Sequence, residues 1–384
     1  MDFRDSPDEA AFRDEIRNWL STAMVGIPQG STIEDQTERE QVGRDWAQAI
    51  YEGGWAGINW PVEYGGRGLS MVHEAIFQEE LALVDAPYPV NSMGITLTGN
   101  TILVYGTEDQ KRRYLPRILS AEDIWCQGFS EPGAGSDLAS LSTRAVAVDG
   151  GWSVSGQKVW TSNGHLATKC MLLARTDPDA AKHRGVTYLL SDMDQIDVRP
   201  LVMINGDAEF NEMFIDGQFV SEEDILGPAN DGWRVANTTL AFERTTVALN
   251  LQVWSLQMLD RLVALVRRLG LTGDEAVVER VAEFYELTHA VRISSVQTMS
   301  LVAAGGQPGP GSSGVKLVWA ALMQQMSRYA LELAGTDGQI VDRPEPAYWV
   351  HRYLRARGHS IEGGSDEVQK SIIAEHVLGL PRSR

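Results

Sequence analysis

Two stretches of the chain carry residue types suited to chemistry. The first is Phe129-Ser130-Glu131-Pro132-Gly133-Ala134-Gly135-Ser136-Asp137, and the second is Gly156-Gln157-Lys158-Val159-Trp160-Thr161-Ser162-Asn163. Gly133 and Gly135 carry no Cβ, so the backbone there can turn tightly and approach a bulky ligand. The hydroxyls of Ser130 and Ser136, with exposed amides beside them, suit phosphate or ring atoms. Trp160 offers a flat apolar face and Ser162 a hydrogen-bond donor. Taken alone, Pro-Gly-Ala-Gly is an ordinary loop sequence. A Rossmann phosphate turn is not indicated either. Gly133-Ala134-Gly135-Ser136-Asp137-Leu138 lacks the third glycine and precedes strands instead of a crossover helix.

The elements that position these residues fall into three blocks. Residues 1–119 read as mostly helical, with apolar residues at helical spacing over 7–25, 41–52, 71–84 and 102–119, the last broken at Thr107-Glu108-Asp109. Ser31 to Glu40 reads as a polar loop, and Trp55 to Leu69 as glycine-rich and irregular. Between 120 and 230 the period changes to short runs at 144–148, 152–155, 170–174, 186–191 and 196–200, with Asp149-Gly150 as a hairpin signal. This predicts a small antiparallel barrel or sandwich. Over 231–384 the helical period returns at 233–249, 251–269, 276–304 and 313–333, and predicts a four-helix bundle. Gly305 to Gly311 reads as a connector. The fold class expected is therefore α+β.

Composition narrows the function. The chain has 384 residues, 43% of them apolar and 22% charged, with 33 basic against 52 acidic groups and a net charge of −19. A field of that sign disfavours nucleic acid or an anionic membrane as the main partner. Any anionic ligand must be met by local cations, helix N-termini or amides. Cys126 and Cys170 alone suit a reducing cytoplasm and read as apolar filler. The N-terminus has no apolar signal segment, and no run of eighteen apolar residues predicts a membrane span. The seven histidines have no metal-ligand spacing.

The two stretches, Phe129 to Asp137 and Ser155 to Asn163, resemble the flavin-binding signature of the acyl-CoA dehydrogenases. The resemblance extends to Trp60-Pro61, Tyr64-Gly65-Gly66 and Gly68, to Gly106-Thr107, Gln110-Lys111 and Tyr114-Leu115-Pro116, and to Gly363-Gly364-Ser365-Asp366-Glu367-Val368-Gln369. It implies an α–β–α fold and FAD lying extended between barrel and helices. By position, Gln127, Phe129 and Ser130 would line the flavin ring and Gly135 and Ser136 would approach the pyrophosphate. Trp160 would pack on the ring and Ser162 would reach its N5 edge.

The reaction implied is α,β-dehydrogenation of an acyl-CoA thioester, with an acyl-carrier-protein thioester or a flavin oxidase as the alternative chemistry. A carboxylate in an apolar site removes the α-proton, and donors stabilise the enolate oxygen. The resemblance offers two positions for that base. Glu243, in Phe242-Glu243-Arg244 among Leu240 and Val247, is preferred, with Arg244 bracing the site. Glu362 is the alternative, one place before the family position, which Gly363 occupies; the Gly363 N–H would still donate to the thioester oxygen.

Generic glutamates are solvated or paired along a helix, the plain reading of Glu243. The family's Arg-x-x-Phe-Gly segment, which grips FAD of a partner subunit, is missing at Leu269 to Glu275; Arg267, Arg268 and Arg280 are nearby cations. Lys111-Arg112-Arg113 reads as a solvated helix face. The implied partners are an electron-transferring flavoprotein and further copies of the chain as a dimer or tetramer. A hetero-oligomer in which this chain is a silent subunit is the rival.

Overall fold

The computed structural model describes residues 4–33, 35–303, 309–340 and 344–381, without the side chains of 245–249, 302, 303 and 344. The side chain of Val247 and much of the Gly305 to Gly311 connector lie outside that description.

The fold is α+β, with a helical N-terminal region, a middle β half-barrel and a helical C-terminal region. Five helices come first: α1 (Pro7–Ala23), α2 (Gln36–Glu52), α3 (Met71–Leu83), α4 (Asn100–Tyr105) and α5 (Glu108–Leu119). The strands are β1 (Trp125–Gly128), β2 (Arg144–Val148), β3 (Gly151–Ser162), β4 (Lys169–Arg175), β5 (Val186–Asp192), β6 (Asp197–Leu201) and β7 (Phe210–Ser221). The last helices are α6 (Gly232–Arg268), α7 (Glu275–Ala303), α8 (Ser312–Ala334), α9 (Pro344–Arg355) and α10 (Asp366–His376).

Local chemistry accounts for several boundaries. The break read at Thr107 is a capping box: the Gln110 amide donates to Thr107 Oγ1 (3.2 Å) and the Thr107 amide to Gln110 Oε1 (3.0 Å). Part of the stretch expected to be a polar loop is helical, because Asp35 caps α2 by accepting from the Glu38 amide at 2.9 Å. α6 is one helix, where the apolar spacing suggested two meeting at Asn250.

Two compact units emerge. One comprises Asp35–Leu69 and Pro87–Glu243, and holds the sheet with α2, α4 and α5. Its sheet runs in the order β1-β4-β2-β3-β7-β6, with β5 pairing β4. Most pairings are antiparallel, but β1 lies parallel to β4, so the sheet is not purely antiparallel. Register shifts along β3 between Val154 and Gly156 and between Lys158 and Thr161 bend this long central strand, as bulges do. Cys126, Val154, Cys170, Leu172, Leu189 and Met213 form the core under the sheet. Cys126 and Cys170 are register partners on β1 and β4; the neighbouring thiol and burial push Cys126 well above its usual range.

The other unit comprises Met1–Glu34, Ser70–Ala86 and Arg244–Arg384. Leu262, Phe284, Trp319, Met323, Met326 and Trp349 pack in its core. Each such fully buried side chain is worth about 1.5–3 kcal/mol of transfer free energy. Among the described residues no helix is long and apolar enough to cross a membrane.

Candidate functional site

The loop after β1 is closed by a pair of backbone bonds: the Glu131 amide to the Ala134 carbonyl (3.1 Å) and the Ala134 amide to the Glu131 carbonyl (3.0 Å). Pro132 and Gly133 form its corner. Neither Gly133 nor Gly135 has a positive φ, and a Cβ on either would meet no protein atom within 4 Å. The turn itself therefore does not depend on the absence of a Cβ at either position. What they provide is bare backbone facing open space, room for a group that is not part of the chain. Gly135 and Ser136 are exposed there.

Upstream, Phe129 is buried with its ring edge-on to Tyr188 (centroids 5.9 Å apart), and the Ser130 carbonyl accepts from the Val159 amide at 2.9 Å. That bond joins the loop to β3. Gln127, half-buried on β1 opposite Met171, has its Nε2 shut away from water with no hydrogen-bond partner. A buried, unpaired amide donor costs about 1–3 kcal/mol, which a bound acceptor would recover.

Trp160 sits at the second irregularity of β3 with φ of +61°, a conformation that a bulky residue rarely adopts. It leaves the ring 60% exposed, steadied edge-on by Phe210 with centroids 5.9 Å apart. A strained backbone that holds a large aromatic ring in solvent is a pattern of ligand sites. Ser162 ends the strand, half-buried, with Phe210 as its register partner.

Sequence reasoning assigned no role to the pair beneath this loop. Glu131 and Lys158 form an ion pair at 2.9 Å with side chains 4% and 0% exposed. Glu131 also accepts from the Ser142 amide (2.7 Å), Ser142 Oγ (2.7 Å) and the Thr143 amide (2.8 Å). Lys158 Nζ also donates to the Phe129 carbonyl at 3.1 Å. Burial pushes the Glu131 carboxyl up, but the Lys158 charge and these donors outweigh it and bring it down to about 2. Burial lowers the Lys158 ammonium, opposed by Glu131. The one available signal was a Glu and a Lys inside two motifs otherwise made of small residues.

The two candidate bases have different surroundings. Glu243 is half-buried and Arg244 exposed on α6, and both have interactions of their own. Glu362, in the turn before α10, is gripped by Arg355 through Nη1 to Oε1 (3.2 Å) and Nη2 to Oε2 (2.8 Å), and His359 Nδ1 also bonds it. Burial works to raise the Glu362 carboxyl, yet the His359 bond and the Arg355 charge bring it down to about 2.

Gly363 and Gly364 follow with φ of +62° and +89°. Their carbonyls are held from below: Gln369 Nε2 donates to the Gly363 oxygen (2.9 Å) and Lys316 Nζ to the Gly364 oxygen (3.0 Å). Among the described residues the Gly363 amide has no hydrogen-bond partner.

The cations flagged in the sequence are largely committed. Arg268 pairs with Glu345, and Arg280 with Glu283 and Gln325. Arg113 pairs with Asp224 and Lys111 with Glu108. Arg267 is exposed.

Comparison with known proteins bears on these observations. Three family models match in sequence: acyl-CoA dehydrogenase, N-terminal domain, over residues 6–122; middle domain, over 126–216; and C-terminal domain, over 230–378. A Mycobacterium tuberculosis protein named acyl-CoA dehydrogenase IpdE1 is 41% identical, with 98% of each chain covered. Among solved structures, one titled Tcur3481-Tcur3483 steroid ACAD superposes with a TM-score of 0.87 at 28% identity, covering 100% of both chains. The ChsE4-ChsE5 complex from Mycobacterium tuberculosis gives 0.85 at 27% identity, again over 100% of both.

Proposed function

The chain belongs to the acyl-CoA dehydrogenase family and is an acyl-CoA dehydrogenase, and from this we propose that it introduces an α,β double bond into a steroid-derived acyl-CoA thioester, with FAD as oxidant. The observation that carries the cofactor assignment is the orphaned Gln127 Nε2, on the strand leading into a loop whose glycines leave bare backbone toward open space. The acyl class rests on the similarity to proteins titled steroid ACAD.

The residues present fit a flavin nucleotide. Gln127, Phe129 and Ser130 would hold the ring, Gly135 and Ser136 the pyrophosphate, and Trp160 and Ser162 the ring's face and N5 edge. When bound, FAD supplies the acceptor for the hydride that leaves Cβ.

The chain's own part is acid–base chemistry. Glu243, half-buried on α6 and next to Phe242 in sequence, takes the α-proton. A carbon acid next to a thioester is far too weak for an unassisted carboxylate. By the family resemblance, the Gly363 amide would donate to the enolate oxygen as it gains charge. Glu362 is a poor base: its carboxyl near 2 places it far from the neutral range in which proton abstraction is efficient. Arg244 braces Glu243. Electrons leave to an electron-transferring flavoprotein.

A second reading concerns assembly, and the used-up cations favour it. With Arg268 and Arg280 already paired, the chain offers only Arg267, of those three, to a neighbour's FAD phosphates. A partner of related but different sequence would then supply what the missing Arg-x-x-Phe-Gly segment does not.

The test is an anaerobic screen of CoA and carrier-protein thioesters against the purified, flavin-loaded protein. Bleaching of the flavin band by steroid-derived acyl-CoA thioesters, and not by short straight-chain ones, is expected. Equal bleaching by straight chains would contradict the steroid assignment.

A further inference from the structure

Within the sheet unit, Glu131 occupies a position that the reaction does not explain. Its carboxylate receives four hydrogen bonds: Oε2 takes the Ser142 amide and hydroxyl, and Oε1 takes the Thr143 amide and Lys158 Nζ, all between 2.7 and 2.9 Å. That saturates the acceptor capacity of a carboxylate. Lys158 spends a second donor on the Phe129 carbonyl at 3.1 Å.

Three chain segments therefore converge on one buried pair: Phe129 just past β1, the far end of the loop at Ser142 and Thr143, and β3 at Lys158. A thirteen-residue span from Glu131 to Thr143 is tied shut at its base while its tip at Gly133 and Gly135 stays bare. The Ser130 carbonyl, bonded to the Val159 amide, and the backbone that carries Trp160 are anchored on either side of the pair.

Stability alone is a weak reason for such a pair. Two charges withdrawn from water cost several kcal/mol each, and apolar replacements of similar volume are often at least as stable. What an ion pair with four directed bonds supplies is geometry.

We propose that Glu131 and Lys158 are positioning residues for the flavin: the pair fixes the spacing between the Phe129-Ser130 backbone and the Trp160 segment of β3, so that both meet the cofactor without rearranging. This rests on the reading that these segments bind FAD. Without the clasp, the loop would have to be ordered at the moment of binding, and affinity would fall by that ordering cost.

The test uses the full chain, stripped of flavin and titrated with FAD, with apoprotein melting followed in parallel. Glu131→Gln and Lys158→Met should weaken FAD by about thirtyfold or more. Ser142→Ala, which removes one hydroxyl bond and is mild enough to fold, should weaken it by about threefold. Leu322→Ala, in the core of the helical unit, serves as the control: it should lower the melting temperature without moving the FAD constant. If Ser142→Ala and any folded Glu131 or Lys158 variant lose melting temperature but bind FAD as the natural sequence does, the pair is only structural and the proposal fails. A natural chain that binds no FAD at all would instead overturn the cofactor reading, and the clasp with it.

Discussion

Glu362→Gln separates the two candidate bases. The natural carboxylate is held by two Arg355 bonds and one from His359, with its carboxyl lowered to about 2. Realised fully as folding stability, a depression of that size is worth about 3 kcal/mol. The side chain is 32% exposed, so solvent screening reduces the figure to about 1–2 kcal/mol. Because the folded pKa lies below the unfolded one, this stability is present above the unfolded glutamate value, about 4.3, and drains away as pH falls toward 2.

Glu362→Gln should therefore lower the melting temperature by about 1–2 °C at pH 7. The gap from the natural protein should close as the pH drops from about 5 toward 2. If the carboxylate, held by the Arg355 guanidinium and the His359 ring, is not the base, kcat should stay within about fivefold of the natural value. Calorimetry across pH and steady-state turnover with one thioester give both numbers. Turnover lost by orders of magnitude, with melting unchanged, would make Glu362 the base and refute the reasoning.

Trp160→Gly relieves a positive φ at a residue whose ring is mostly in solvent, so apoprotein stability should hold or rise by about 1 kcal/mol while FAD binds about tenfold more weakly. Loss of stability with unchanged FAD affinity would show the ring to be structural. Gly363→Ala keeps the amide and meets no neighbour, and should cost about 1 kcal/mol through φ alone. Gly364→Ala should cost more, because its Cβ would lie 2.6 Å from Gln369 Nε2 and displace the side chain that holds the Gly363 carbonyl. Thermal melts of the two variants check that order.

Much of the fold could be read from local signals. Apolar spacing found α1, α3, α7 and α8, Asp149-Gly150 found the β2–β3 hairpin, and the polar break at Thr107-Glu108-Asp109 fell where α4 gives way to α5. What escaped depends on partners distant in sequence. β7 alternates inward and outward residues, but Asp216-Gly217 interrupts the pattern, and its extended state is imposed by pairing along β3. β1 is four residues long and draws its structure from β4.

The site divides the same way. The motif residues of the loop and β3 stand out by type. The positive φ of Trp160 arises from a bulge, and the Glu131–Lys158 bond from a fold that closes a loop, neither of which has a local signature. Nor does Glu362's commitment to Arg355 and His359, which only a turn between two helices brings about.

Which group takes the α-proton can be measured without complete turnover. In deuterated water, the flavin-loaded natural protein should exchange deuterium into Cα of a bound thioester that cannot lose a β-hydride, read by mass spectrometry. Glu362→Gln should exchange at nearly the natural rate, whereas Glu243→Gln, still binding FAD and thioester, should be slower by about 10³-fold or more. Exchange by Glu243→Gln at the natural rate would contradict the central claim.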